Sequence, residues 1–307
     1  MIAIEVALIV TIATFFLPGG QDLFTHYYPF SGGCLNCALI PYFMHWLLWP
    51  LKFIPPQLGW PLISALTIFS ILAVCRRTKV NPVYVFLSFP FLAVIWLGQI
   101  DFLEIIGFSI ALFSANPWLR GLGIVLSLTK PQVAFLAVFF LLTKEKRADL
   151  PKVLAAPIIV FAASLVVFGI TWPLAWLENA RSFHVVSFPV IIERKNLLDS
   201  YHMAADLIWP VGLALIWVPF WFKGRRDRFE AALLITSISN PYYSVSYYLT
   251  FLVFRSTWWT LLLSYAWVLA YPWLERGSMI FAWVLPASML FHMAYQKWVK
   301  GRDPRTI

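Results

Sequence analysis

The sequence predicts an all-α polytopic membrane protein, and three observations carry that prediction. Of 307 residues, 61% are hydrophobic and 12% charged, more apolar surface than a soluble fold has room to bury. The apolar residues gather at about 2–17, 58–75, 82–98, 102–116, 119–143, 153–171, 203–222, 229–254, 257–271 and 278–295, many of them near membrane length. Segments 119–143 and 229–254 each carry a proline near the centre, Pro131 and Pro241. Spans account for most of the chain, so a single transmembrane domain over residues 1–307 is expected, with no separate soluble module.

The first segment, 2–17, has no basic flank, and Pro18-Gly19-Gly20 is a poor signal-peptidase site. It reads as a retained span, short for its task and carrying Glu5. Pro41 to Ile54 mixes aromatic residues with His45 and Lys52 and reads as an interfacial helix. If every later segment crossed once, Arg76/Arg77/Lys79 and Lys144/Lys146/Arg147 would fall on opposite sides. The positive-inside rule opposes that pattern. Reading 119–143 and 229–254 as re-entrant helical hairpins removes the conflict.

Each hairpin arm would run ~14–16 Å at ~1.5 Å per residue, about half a bilayer. Proline-interrupted apolar pairs also mark central binding sites in membrane proteins. The expected architecture is therefore about eight full crossings, two re-entrant or half-length hairpins and an outer interfacial helix. The C-terminus and most of the 23 Lys and Arg residues then lie in the cytoplasm. Two long loops, 18–57 and 172–202, fall outside together with Asp22, Asp101, Glu104 and Glu178.

The net charge of +9 is an orientation signal here, since no basic run is long enough for nucleic acid. Cys34 and Cys37 form a CxxC with no second pair to complete a zinc site; a local disulfide or two free thiols remains open.

Several residues carry candidate chemistry. Lys130 sits in a strongly apolar stretch, where a cation costs at least ~2.5–3.5 kcal/mol, and Pro131 breaks the helix beside it. Asp22 follows the first span, flanked by His26, Tyr27 and Tyr28, and has the surroundings of a general base for a hydroxyl substrate; a helix-end Asp among interfacial aromatics is the alternative. Gln99 and Asp101 end the third span, with Glu104 one turn after Asp101. The two carboxylates at i, i+3 share a helix face and suit a cation or a sugar, and Gln99 and Asp101 equally suit polar interior ligands. Arg194 and Lys195 in the second long loop suit a phosphate-bearing ligand or lipid headgroups. No Walker loop, GxGxxG, HExxH or GxSxG occurs, which removes support for nucleotide, zinc-protease and serine-hydrolase chemistry.

In order, these residues resemble the type-C (GT-C) polyprenyl-phosphate-dependent glycosyltransferases, and most closely glycosyltransferase family 87. The resemblance rests on Asp22 with Tyr27-Tyr28, on Pro50-Leu51…Pro55, and on Gly98-Gln99-Ile100-Asp101, where Asp replaces an Asn. It continues with Gly121, Gly123 and Lys130-Pro131, then loosely with Asn240-Pro241-Tyr242-Tyr243-Ser244. It covers about residues 1–255; Ser246, Tyr247 and Tyr248 stand where the family places a His.

The resemblance implies transfer of mannose or a related hexose from a polyprenyl-phosphate carrier to a lipid or glycan acceptor. The reaction would take place on the outer face of a prokaryotic inner membrane. Asp22 would be the base; Lys130, Arg194 and Lys195 would meet the donor phosphate. Tyr27, Tyr28, Gln99, Asp101 and Asn240 would hold sugar or acceptor hydroxyls. No cofactor and no bound metal is expected, although a divalent cation is compatible with the chemistry. Two alternatives stay open: a transporter or flippase for an anionic lipid or solute, and a non-catalytic membrane subunit of the same fold.

Overall fold

The computed structural model describes residues 2–183, 214–239, 245–274 and 281–300. Every regular element among them is a helix. The chain opens with α1 (Ile2–Ala13), then passes through the short turns Leu23–Tyr27, Tyr28–Ser31 and Leu35–Cys37. The expected interfacial helix at 41–54 is three successive turns, Tyr42–Met44, His45–Leu48 and Trp49–Phe53.

Two helices among the described residues are long and apolar enough to cross a membrane unaided. One is α2 (Pro56–Thr78), whose 23 residues span about 34 Å at ~1.5 Å per residue. The other is Leu150–Phe168, most of whose surface is exposed to whatever surrounds the protein. The remaining apolar segments are more broken than the expectation of eight full crossings. Segment 82–98 divides into α3 (Pro82–Phe86) and α4 (Phe89–Leu97). The division has a local cause: each part starts on a proline at its first turn, and Ser88 between them is extended. Residues 257–271 likewise divide into Trp258–Leu263 and part of Ala266–Leu274.

α4 ends at Gly98, whose φ of +70° is the left-handed conformation that glycine adopts without penalty. A side chain there would also collide with the Cα of Gly20, 2.9 Å from an added Cβ. This sharp exit turns Gln99 inward and starts α5 (Asp101–Phe113), with Asp101 and Glu104 in its first turn. Carboxylates are favoured there by the partial positive charge of a helix N-terminus.

The first expected hairpin is present as α6 (Pro117–Ser127) and α7 (Pro131–Leu142). Asn116 caps α6 by accepting a hydrogen bond from the Trp118 backbone N–H at 2.9 Å. At the other end, Lys130 leaves the helical region, which a following proline disfavours, and Pro131 opens α7. The two arms return to the same end of the molecule. Arg120, early in α6, is 2.8 Å from Glu145 just beyond α7, whereas Lys130 at the tip is 2.6 Å from Asp101. The α5–α6 crossing is close because Gly107 faces Gly123; an added Cβ would lie 2.4 Å from Ser127 N and 2.6 Å from Ala111 N respectively.

After α8 (Leu150–Phe168) and α9 (Trp172–Phe183), the second expected hairpin comprises α10 (Arg225–Ser239) and α11 (Tyr248–Leu252). Its tip lies outside the described residues. Its base is closed by Arg255, which bonds Asp227 at 2.9 Å and also Glu230, and by Arg226, which bonds Glu230 at 2.6 Å. Arg226 reaches the Thr78 carbonyl at the end of α2, and Arg225 reaches both the Ala111 carbonyl and Glu145. One end of the bundle therefore gathers both hairpin bases and the ends of α2 and α5, laced by arginines. The hairpin tip and the Asp22 turn lie at the opposite level. α7 packs on α10, and the largest apolar core, including Phe108, Phe140, Phe229 and Phe254, joins both hairpins to α2 and α5.

Candidate functional site

The site forms where the loop after α1 meets the α4–α5 junction and the Lys130 tip. Gly20 N–H donates to the Trp96 carbonyl at 2.7 Å, and Trp60 Nε1 donates to the Ile95 carbonyl at 2.7 Å. The first bond ties the segment leading into the Asp22 turn to the end of α4, and the second ties α2 to the same end. Leu23, Tyr27 and Phe30 bury the turn's inner face against Trp60, Ile63 and Ile100. Asp22 and Gln99, distant in sequence, are thereby brought into contact.

Gln99 is the hub. Lys130 Nζ donates to Gln99 Oε1 at 2.9 Å, and the Tyr27 hydroxyl donates to the same oxygen at 2.8 Å. An ammonium only donates, so the oxygen side of the amide must face Lys130. That choice turns Nε2 toward Asp22, whose Oδ2 accepts its hydrogen bond. The orientation of a carboxylate is thus set by a lysine that does not touch it.

Lys130 is enclosed, with 2% of its side chain exposed. It donates to Asp101 Oδ1 at 2.6 Å and lies 4.1 Å from the centre of the Tyr247 ring. Burial of a charge requires such compensation. The sequence left Lys130 facing an outer cavity, ready for a phosphate; the structure closes it over with Asp101, Gln99 and Tyr247. Asp101 and Glu104 are also fully buried rather than presented on an outer face. They do not act as a matched pair: Asp101 takes the lysine, and Glu104 accepts from the Thr250 hydroxyl at 3.2 Å. Asp101 Oδ2 and Glu104 Oε1 are buried without a hydrogen-bond partner among the described residues.

Burial pushes the Asp22 carboxyl above its ordinary range, opposed by the charges of His26 and Lys130 and by the bond from Gln99, while Asp101 adds to the rise. A raised carboxyl is a stronger base once ionised. Burial, reinforced by Asp22, Tyr247, Asp101 and Glu104, carries the Tyr27 hydroxyl well above the usual phenol range, so it remains a neutral donor to Gln99.

Of the residues singled out from sequence, the structure brings Asp22, Tyr27, Gln99, Asp101 and Lys130 into one network. Tyr28 is directed elsewhere: its hydroxyl donates to the Ile54 carbonyl at 3.0 Å and braces the segment before α2. Arg194, Lys195 and Asn240 lie outside the described residues. Sequence reasoning missed Tyr247 as the lysine's aromatic cover and Thr250 as the Glu104 donor. The only prior signal was that Tyr247 stands in the late motif in place of a His. It also left the cysteines open, and the structure joins Cys34 and Cys37 in a disulfide.

An all-α apolar chain with two helical hairpins converging on a carboxylate–amide–lysine network belongs to the class of helical proteins built around a buried polar site. The sequence pattern of glycosyltransferase family 87 matches residues 40–240. The chain belongs to that family, and its activity class is glycosyl transfer. The match includes Gln99, Asp101 and Lys130, whereas Asp22 and Tyr27 precede it. No curated protein and no solved structure matches the chain.

Proposed function

We propose that the protein transfers a hexose, mannose or a relative, from a polyprenyl-phosphate carrier to a hydroxyl of a lipid or glycan acceptor. The reaction takes place on the outer face of a prokaryotic inner membrane, with Asp22 as general base. The observation that carries this reading is the Gln99 amide, locked by Lys130 and Tyr27 so that Asp22 is held through one oxygen. The other oxygen is left to take a proton from the acceptor.

In the step proposed, Asp22 removes the hydroxyl proton as the hydroxyl oxygen attacks the anomeric carbon. The bond between that carbon and the phosphate oxygen breaks, the configuration inverts, and the lipid phosphate leaves with the electron pair. A lipid-borne donor agrees with the absence of a nucleotide motif. It also agrees with an apolar cavity of about 370 Å³ lined by Phe43, Val125, Leu128, Phe161 and Leu165 among others. Leu128 lies two residues before Lys130, so a prenyl chain in this cavity would end near the network.

The roles proposed here differ from those expected from sequence. Lys130 acts as the organiser of Gln99, and Tyr27 and Gln99 serve Asp22 rather than the sugar. Arg194 and Lys195 become the candidates for the leaving phosphate, whose growing charge needs cations. Purified protein in nanodiscs, supplied with labelled polyprenyl-phosphate hexoses and candidate acceptors, tests the reading. Loss of transfer in Asp22→Asn supports it, and transfer surviving that substitution overturns it. Arg194→Ala with Lys195→Ala should weaken use of the donor more than use of the acceptor.

A further inference from the structure

The Cys34–Cys37 disulfide has no part in the reaction proposed above. A link across so short a loop removes little entropy from the unfolded chain, because that gain grows with loop length. Its effect is local. It ties off the turn Leu35–Cys37, which folds back over the Asp22 turn: Gly33, at φ +110°, permits the reversal, and Cys34 N–H donates to the Pro29 carbonyl at 3.0 Å. Leu35 packs on the core that includes Leu23, Tyr27 and Phe30.

The closed turn presents one group to the site. The Cys37 carbonyl lies 2.8 Å from His26 Nδ1. A carbonyl oxygen accepts and never donates, so Nδ1 carries the hydrogen. His26 belongs to the helical turn Leu23–Tyr27, which Asp22 begins. Residues four apart in a helical turn share a face.

We infer that His26 is a positioning residue for the Asp22 carboxylate, aimed by the Cys37 carbonyl, and that the Cys34–Cys37 disulfide sets this aim. The inference rests on the reading of Asp22 as the base. The other groups facing that carboxylate are Lys130 and Asp101 across the site, Gln99 bound to it, Tyr27 on its own turn and Tyr247 beyond Lys130. Among the influences that oppose the burial of Asp22, the charge of His26 is the strongest. Losing it leaves Asp22 protonated to higher pH.

The test compares unmodified protein in nanodiscs with His26→Gln, with Cys34→Ser/Cys37→Ser, and with unmodified protein reduced by a phosphine. Gln keeps a donor for the Cys37 carbonyl and removes the charge. The acid limb of the transfer rate should move up by about one pH unit in His26→Gln, the lower end of what a neighbouring charge does. It should move the same way when the disulfide is opened. Ring ¹⁵N shifts of labelled His26 give a second readout, independent of activity: an Nδ1-protonated ring that changes on reduction and in Asp22→Asn. An acid limb unmoved in His26→Gln, or moved there but not by opening the disulfide, overturns the inference. If Asp22→Asn still transfers sugar, the base reading fails; ¹⁵N shifts indifferent to both reduction and Asp22→Asn overturn the inference independently.

Discussion

Lys130 Nζ lies 2.6 Å from Asp101 Oδ1, with side chains 2% and 0% exposed. The pair joins the tip of one hairpin to the start of α5. Removing either partner strands the other charge away from water. Lys130→Met and Asp101→Asn should each cost about 3–5 kcal/mol, and the double variant less than their sum. Thermal unfolding of the four proteins in one detergent measures this; additive losses would show that the ion pair does not hold the tip.

Gln99 connects that pair to Asp22. Gln99→Leu keeps much of the bulk but removes the acceptor for Lys130 and Tyr27 and the donor to Asp22. The expected loss in transfer is about 10²-fold, the scale of a catalytic group displaced by ~1 Å. Steady-state kinetics should place most of that loss in kcat; a change confined to donor KM would assign Gln99 to substrate binding.

The direction of the Asp22 shift fixes a pH dependence for activity. Because burial raises this carboxyl, the base becomes available only above the ordinary aspartate value of about 3.9. The acid limb of the rate should therefore fall above that value. A limb at or below it would show that Asp22 is not the ionising group.

The same shift predicts an effect on stability. A carboxyl whose folded value is raised binds its proton more tightly when folded, so its ionisation costs stability as pH rises through the folded value. Asp22→Asn removes that cost, and its side-chain oxygen can still accept from Gln99. The variant should have a higher Tm than the unmodified protein at pH 7, with the gap narrowing as pH falls. An equal or lower Tm at pH 7 contradicts the direction of the shift.

The α5–α6 crossing depends on the absence of two side chains. Gly107→Ala would drive a methyl to 2.4 Å from Ser127 N, and that backbone has no flexible end to move aside. The expected cost is about 1–3 kcal/mol. Gly33→Ala meets no neighbour within 4 Å and serves as a comparison: its cost comes from φ alone. Equal Tm losses in the two variants would show that close helix packing is not what Gly107 provides.

Much of the fold was legible because it rests on local chemistry. Composition set the helical class, and Pro131 marked the helix break beside Lys130, where the structure opens α7. The first hairpin was legible from charge placement. Arg120 and Glu145 do meet at its base, which returns both arms to one end of the bundle. Less was legible about crossings, because Ser88 and its flanking prolines split an apolar run whose composition alone suggested one helix.

The sequence by itself determined that the protein is apolar and all-helical, that Lys130 stands at a helix break, and that its motifs resemble those of a glycosyltransferase family. Those properties depend on residue type and on spacing along one segment. Only the tertiary structure decided what Lys130 does with its charge. Gln99 and Asp101 come together from the α4–α5 junction and Tyr247 from far along the chain, and their approach to Lys130 follows from the Gly98 turn, the α5–α6 crossing and the packing of the second hairpin. A buried ammonium takes whichever partners the packing supplies, and here they turn it away from solvent and toward the orientation of Asp22.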